Sequence, residues 1–241
     1  MGGHLMELKS LAEWIALAKK ALTQRTLAIP AMARNFWMFL FGSCTARLLA
    51  RFEKRLHLGE NVRIQRLRTL QLSGEAAEIR IGSHSIVFEN ARLEATGSGK
   101  IVIGRYSVLG DCRISARSSV VLGDRVLTSW NVFIQDNDPH PLCPTLRGQQ
   151  VTAICNRFFP RFGKLTDHTP KVEVDWTRSS APIEIGDDVW IGAGATVLKG
   201  AKIGRGSIVG CGSVVTAGDY EDGSVLAGNP ARVVRRLKLL S

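Results

Sequence analysis

One histidine stands where it could do chemistry. The run Asn131-Val-Phe-Ile-Gln-Asp136-Asn-Asp138-Pro-His140-Pro-Leu sets two carboxylates shortly before His140. Imidazole titrates near neutrality, so it can take a proton from a weak nucleophile and later return it to a leaving group. A neighbouring carboxylate could orient the ring through its second nitrogen. Aspartates also cap turns for local reasons, and taken alone a histidine between prolines reads first as a turn residue with no function. The five cysteines (Cys44, Cys112, Cys143, Cys155, Cys211) are scattered, with no C-x-x-C and no Cys/His zinc spacing. They read as buried free thiols of a reducing compartment, and no metal is expected.

The elements that must position these residues show in a period of six. Ile185, Ile191, Val197, Ile203, Val209 and Val215 stand six apart, and Val189, Ala195, Ala201, Ser207 and Ser213 follow five of them by four. Such a period calls for a chain that turns a corner every six residues, with a short strand on each side of a triangular coil. Three hexads close one coil, so Ile185 should stack on Ile203 and Ile191 on Val209. The same step runs through Ile81, Val87, Leu93, then Ile103, Leu109, Ser115, then Leu122, Thr128, Ile134. Internal repeats of this kind mean a solenoid whose coils bury their faces against one another.

The formal charge of +11 is uneven. Residues 1–68 hold 12 Lys or Arg against 4 Glu and no Asp, which is +8 of the total. Leu8, Leu11, Ile15, Ala18 and Leu22 recur at helical spacing, and Pro30 breaks or restarts the pattern. Only 12 uncharged residues separate Arg34 from Arg47, too few for a bilayer span of roughly 20. Leu48, Leu49, Phe52 and Leu56 interleave with Arg47, Arg51, Lys54 and Arg55 on a second amphipathic segment. No signal-peptide layout is present. A basic amphipathic segment of this kind suits an anionic membrane surface. Nucleic acid is not expected, because the basic residues lie on no known reading element.

The stretch from Pro182 to Arg235, P-I-E-I-G-D-D-V-W-I-G-A-G-A-T-V-L-K-G-A-K-I-G, then G-C-G-S-V-V-T, then A-G-N-P-A-R-V-V-R, resembles the hexapeptide-repeat acyltransferases. The likeness is to the galactoside, maltose and cell-surface polysaccharide O-acetyltransferases, and it covers roughly residues 75–237. It implies an all-β solenoid, a left-handed parallel β-helix, working as a homotrimer with a site between subunits. It implies acetyl-CoA as co-substrate and a saccharide hydroxyl as acceptor, with direct transfer and no acyl-enzyme. His140 matches the general base, with Asp138 or Asp136 as its orienter. Asp111 falls near an asparagine that touches the acceptor in galactoside-type relatives, and Trp190 matches a cleft-lining tryptophan. Ala193, Gly210, Cys211 and Thr216 match positions along the pantetheine arm. Arg232 and Arg235 match positions that meet the CoA phosphates, a task suited to the guanidinium fork. Asn229-Pro230 should mark the turn out of the coil.

The expected organisation is a basic helical extension over 1–60, the β-helix over 61–237 with a long loop excursion at 141–181, and a tail at 238–241. The excursion carries Phe158, Phe159, Phe162, His168 and Trp176, and reads as a wall of the acceptor pocket, with Trp176 a candidate sugar-stacking residue. The expected location is cytoplasmic, in peripheral contact with the inner membrane face. Competing readings are N-acetylation of an amino sugar and a non-catalytic β-helix scaffold. A carbonic-anhydrase-like zinc enzyme on this fold needs three histidines, and outside the loop the β-helix region offers only His84 and His140.

Overall fold

The computed structural model describes residues 31–158 and 179–239. Within them the hexads wind into a solenoid of parallel strands with three faces, of seven, eight and six strands. One coil, the fourth, shows the plan: Ser119–Leu122 on the first face, Leu127–Thr128 on the second and Val132–Gln135 on the third. Branched residues alternate inward and outward along each short strand, as the pleat requires.

The inward rows form the core. On the first face Leu58, Ile81, Ile103, Leu122, Ile185 and Ile203 stack coil on coil. On the second face the row is Ile64, Val87, Leu109, Thr128, Ile191, Val209 and Leu226. The expected stacking of Ile185 on Ile203 and Ile191 on Val209 is present. Val189, Ala195, Ala201, Ser207 and Ser213 are all buried, and small residues are what the corners admit. The buried Ser107 is satisfied between coils: its Oγ accepts from the Val126 N–H at 3.1 Å and donates to the Gly123 carbonyl at 3.1 Å.

The corner between first and second faces needs a left-handed residue in each coil. Asn61, His84, Tyr106, Arg125 and Asp188 supply it at φ between 53° and 64°, and glycines take over at 206 and 223. Gly186 answers a different demand: a Cβ there would lie 2.7 Å from the Arg205 nitrogen of the next coil.

A helix, α1 (Ala31–Phe52), begins directly after Pro30 and closes the first end of the solenoid. It lays small residues on the coil. Gly42 passes so close that a side chain would collide with the Ile64 and Gln65 carbonyls, Ala46 is fully buried, and Ser43 Oγ accepts the Ile64 N–H at 3.0 Å. An open strand edge is thereby covered.

Several sequence expectations are corrected. Leu56 is not helical: Leu56–Leu58 is the first strand, paired to Ile79–Ile81, so the solenoid starts inside the segment expected to be an extension. Ser115 is not the inward residue of its strand. Ile114 pairs with Leu93 and Ile134 in the core row, and the one-residue slip lies before it. The excursion is not only loop, for Pro144–Phe158 forms a second helix, α2. All five cysteines are free, but only Cys112 is buried, where burial pushes its thiol up to about 12; the other four are exposed. Among the described residues no helix is long and apolar enough to cross a membrane.

Candidate active site

The strand Val132–Gln135 delivers the His140 segment to the corner between third and first faces. Asp136 is wholly buried there. Its oxygens accept the Arg117 N–H at 2.9 Å and the Ser118 N–H at 2.7 Å, and Asn137 Nδ2 donates to it at 3.0 Å. Asp138 is neutralised by Lys199, whose Nζ lies 2.5 Å from Oδ2 and also reaches the Ser179 carbonyl. The Asp138 N–H bonds the Ser179 carbonyl, and Asn137 forms an antiparallel bridge with Ser180. Both ends of the excursion are thus fastened at the same corner.

His140 is exposed beyond this clamp. Its Nδ1 sits 2.9 Å from Oε1 of Gln150, on the second turn of α2. A carbonyl oxygen only accepts, so this contact is a hydrogen bond in the tautomer that carries its proton on Nδ1, and that tautomer leaves Nε2 as the acceptor. Nε2 bonds no described residue. The expectation that Asp136 or Asp138 orients the ring is therefore not met: the first carboxylate is consumed by backbone donors and the second by an ammonium. Gln150, Lys199 and Ser179 were not foreseen. Pro144 is a helix-start signal that could have exposed α2 and hence Gln150. Cys143 precedes it, and the N–H groups of Leu146 and Thr145 hold its thiol below the ordinary value.

Of the remaining candidates, all but Thr216 fall on other parts of the surface. Thr216 shares the corner of His140, in the coil after Lys199. Asp111, Ala193, Gly210 and Cys211 lie along the opposite corner, between second and third faces. There the Gly212 N–H bonds the Ala193 carbonyl of the coil below at 2.8 Å. Asp111 lines a cleft of about 300 Å³ with Asn90, Arg92 and Asn131. Trp190 stands on the second face, 45% exposed, its Nε1 donating to Ser129 Oγ at 3.1 Å. The outward row there runs Leu127, Trp190, Ile208, Val225, and ends on Arg235. Arg232 and Arg235 belong to the last strand, Ala231–Arg236, which folds back antiparallel on Ser224–Gly228 after the turn at Asn229-Pro230. Trp176, with Phe159, Phe162 and His168, lies outside the described residues.

Comparison with known proteins agrees with this geometry. Residues 182–217 match the family described as bacterial transferase hexapeptide (six repeats). That stretch carries the repeat of the bacterial transferase hexapeptide family, within a solenoid that continues on either side of it. That family implies left-handed winding of the coil. The chain shares its fold with the polySia-specific acetyltransferase NeuO at a TM-score of 0.57 and 24% identity. The likeness covers 75% of this chain and 66% of NeuO, just under two thirds of that enzyme's length. A maltose O-acetyltransferase from Clostridium difficile 630 is similar at 21% identity and a TM-score of 0.41, covering 95% of this chain and 88% of that one. VCA0836 from Vibrio cholerae O1 biovar eltor, solved with acetyl coenzyme A, gives 21% identity and 0.47, covering 92% and 98%. No curated protein matches the chain.

Proposed function

We propose that this hexapeptide protein is an acyltransferase that moves an acetyl group from acetyl-CoA to a hydroxyl of a saccharide, with His140 as general base. The observation that carries the reading is the state of that ring. It is exposed at a solenoid corner, with Nδ1 engaged by Gln150 and Nε2 turned to no described partner. The match of the neighbouring coils to a transferase family supports the same conclusion.

The chemistry follows. Nε2 takes the proton of the acceptor hydroxyl as its oxygen bonds to the thioester carbonyl carbon. The tetrahedral intermediate then collapses, the carbon–sulfur bond breaks, and Nε2–H returns the proton to the departing thiolate. Gln150 holds the ring in the tautomer that starts this cycle. Ala193, Gly210 and Cys211 offer a corner with little side-chain bulk along which a pantetheine arm could lie against the backbone. Arg232 and Arg235 offer exposed guanidinium groups for phosphates, Asp111 an acceptor for sugar hydroxyls, and Trp190 an apolar wall. An acyl-CoA donor places the reaction in the cytoplasm.

Within one protomer the two corners are separated by the third face. From Asn131 to Asp136 the strand covers about 16 Å at about 3.3 Å per residue. A thioester held along the small-residue corner lies that far from the His140 of its own chain. We therefore assign the working unit to a homotrimer, in which the His140 corner of one protomer faces the small-residue corner of the next.

The test is release of free thiol from acetyl-CoA across a panel of nucleotide sugars, polysaccharide fragments, amino sugars and lipid-linked glycans, with His140→Ala alongside. Acceptor-dependent release that the variant loses supports the reading. A variant with full transfer activity would remove the base assignment, and no release with any acceptor would remove the activity.

A further inference from the structure

We propose that the outward face of α1 docks this protein onto an anionic lipid surface. The helix is built the opposite way round from an ordinary surface helix, which turns its large apolar residues to the core. Here Gly42, Ser43, Ala46 and Ala50 face the solenoid. Leu40, Phe41, Leu48, Leu49 and Phe52 face out, with Phe41 63%, Leu48 57% and Phe52 80% exposed. Trp37 stacks on Phe41 at 5.6 Å between centroids. The strip from Leu40 to Phe52 is about 18 Å long at 1.5 Å per residue. Phe88 of the second coil, in edge contact with Phe39 at 5.8 Å, extends it onto the solenoid.

Charge decides the occupant. No Asp or Glu occurs between Ala31 and Phe52. Arg47, Arg51 and Lys54 flank the strip, exposed, and make no ion pair with any described residue. Glu53, the acidic residue that follows the helix, is already taken by Arg55, with Nε 2.7 Å from Oε1. A second copy of the chain on this face would oppose like charges. Residues 1–30 are net basic as well, with four Lys or Arg against two Glu. A surface that supplies both hydrocarbon and negative headgroups satisfies the strip and its rim together. The helix would lie in the headgroup plane, since it is too short in apolar length to cross.

Vesicle flotation of the full chain tests this without reference to its activity. The unmodified protein should float with phosphatidylcholine vesicles doped with phosphatidylglycerol, remain at the bottom with phosphatidylcholine alone, and sink as salt is raised. Leu48→Glu with Phe52→Glu should reduce flotation by at least about tenfold, because the apolar insertion is lost. Arg47→Glu with Arg51→Glu should do the same, as each basic residue near an anionic surface contributes on the order of 1 kcal/mol. Both pairs are exposed, so the thermal midpoint should stay unchanged. Failure of the unmodified protein to float, or flotation of the Leu48/Phe52 variant at the unmodified level, overturns the proposal. A Leu48/Phe52 variant that melts lower or changes its oligomer mass, with no flotation of the unmodified chain, assigns the face to protein and overturns it equally.

Discussion

The two corners that border the third face are built from opposite materials. In the fifth and sixth coils the corner between second and third faces is lined by Ala193, Gly210 and Cys211, side chains that add little bulk and no charge. The corner between third and first faces gathers Asp136, Asp138, Lys199 and His140 and fastens both ends of the excursion. The difference teaches that a repeating coil offers the same corner many times, and function enters where one repeat is interrupted. From Thr128 onward the smooth corner keeps the period, so a long substrate arm could run along it. The charged corner holds the longest interruption, which carries His140, the proposed base, and the helix whose Gln150 meets it.

The largest effect tests whether the two corners work together across protomers. His140→Ala should lower turnover by about 10² to 10⁴. Cys211→Trp, which fills the smooth corner, should lower kcat/KM for acetyl-CoA by at least about 10², the cost of displacing a reacting group by an ångström. Co-expressed and purified as mixed trimers, the two variants should regain activity, because some sites then combine an intact histidine corner with an intact smooth corner. A mixture as inactive as its parents, with mixed trimers confirmed by two tags, would place the whole site within one protomer.

Asp136→Ala separates support from chemistry at the charged corner. It leaves the Arg117 and Ser118 N–H groups buried without acceptors, a loss of about 1–3 kcal/mol. The urea midpoint should fall while kcat of the folded fraction stays close to wild type. A selective collapse of kcat at unchanged stability would restore Asp136 as the orienter of the ring.

Gln150→Ala should lower kcat about tenfold, the scale of one neutral hydrogen bond, with KM little changed. Gln150→Glu should keep the ring oriented and move the acidic limb of the kcat profile upward, since a carboxylate favours the imidazolium. An unchanged profile in both variants would mean that the contact with His140 has no part in turnover.

The smallest effect comes from the plain solenoid, far from the interruption. Asp124 links coils through Arg105, and the hydrogen bonds from that guanidinium and its backbone N–H lower the Asp124 pKa. A lowered folded-state value means that the contribution is full above the unfolded value of about 3.9 and fades as pH falls through the lower folded one. Asp124→Asn should therefore cost no more than about 1 kcal/mol at pH 7, as expected of a partly exposed pair. The gap between the two denaturation curves should close in strong acid. A gap that widens on acidification would reverse the sign of the linkage.

Much of the coil could be read directly from residue order. The hexads locate the inward rows, because a six-residue step and a pleat of two both act within one strand and its corner. Where an exception occurs, as at Ile114 rather than Ser115, the slip is a single residue. His140 was recognisable for the same reason, as it ends a repeat. Its surroundings were not. Asp136 and Asp138 are near His140 in sequence, yet their oxygens go to Arg117, Ser118 and Lys199, the last 61 positions from Asp138. Gln150 comes within 2.9 Å of the ring only because α2 turns the chain back.

By itself, then, residue order determined the triangular coil, its inward rows and the histidine at its interruption, since hydrophobic period and corner sterics are local. Only tertiary structure decided which oxygen meets that histidine, that the candidate site residues divide between two corners and the second face, and that α1 turns its aromatic side outward. Those outcomes depend on which groups compete for each donor once distant segments are brought together, and no spacing along the chain encodes that competition.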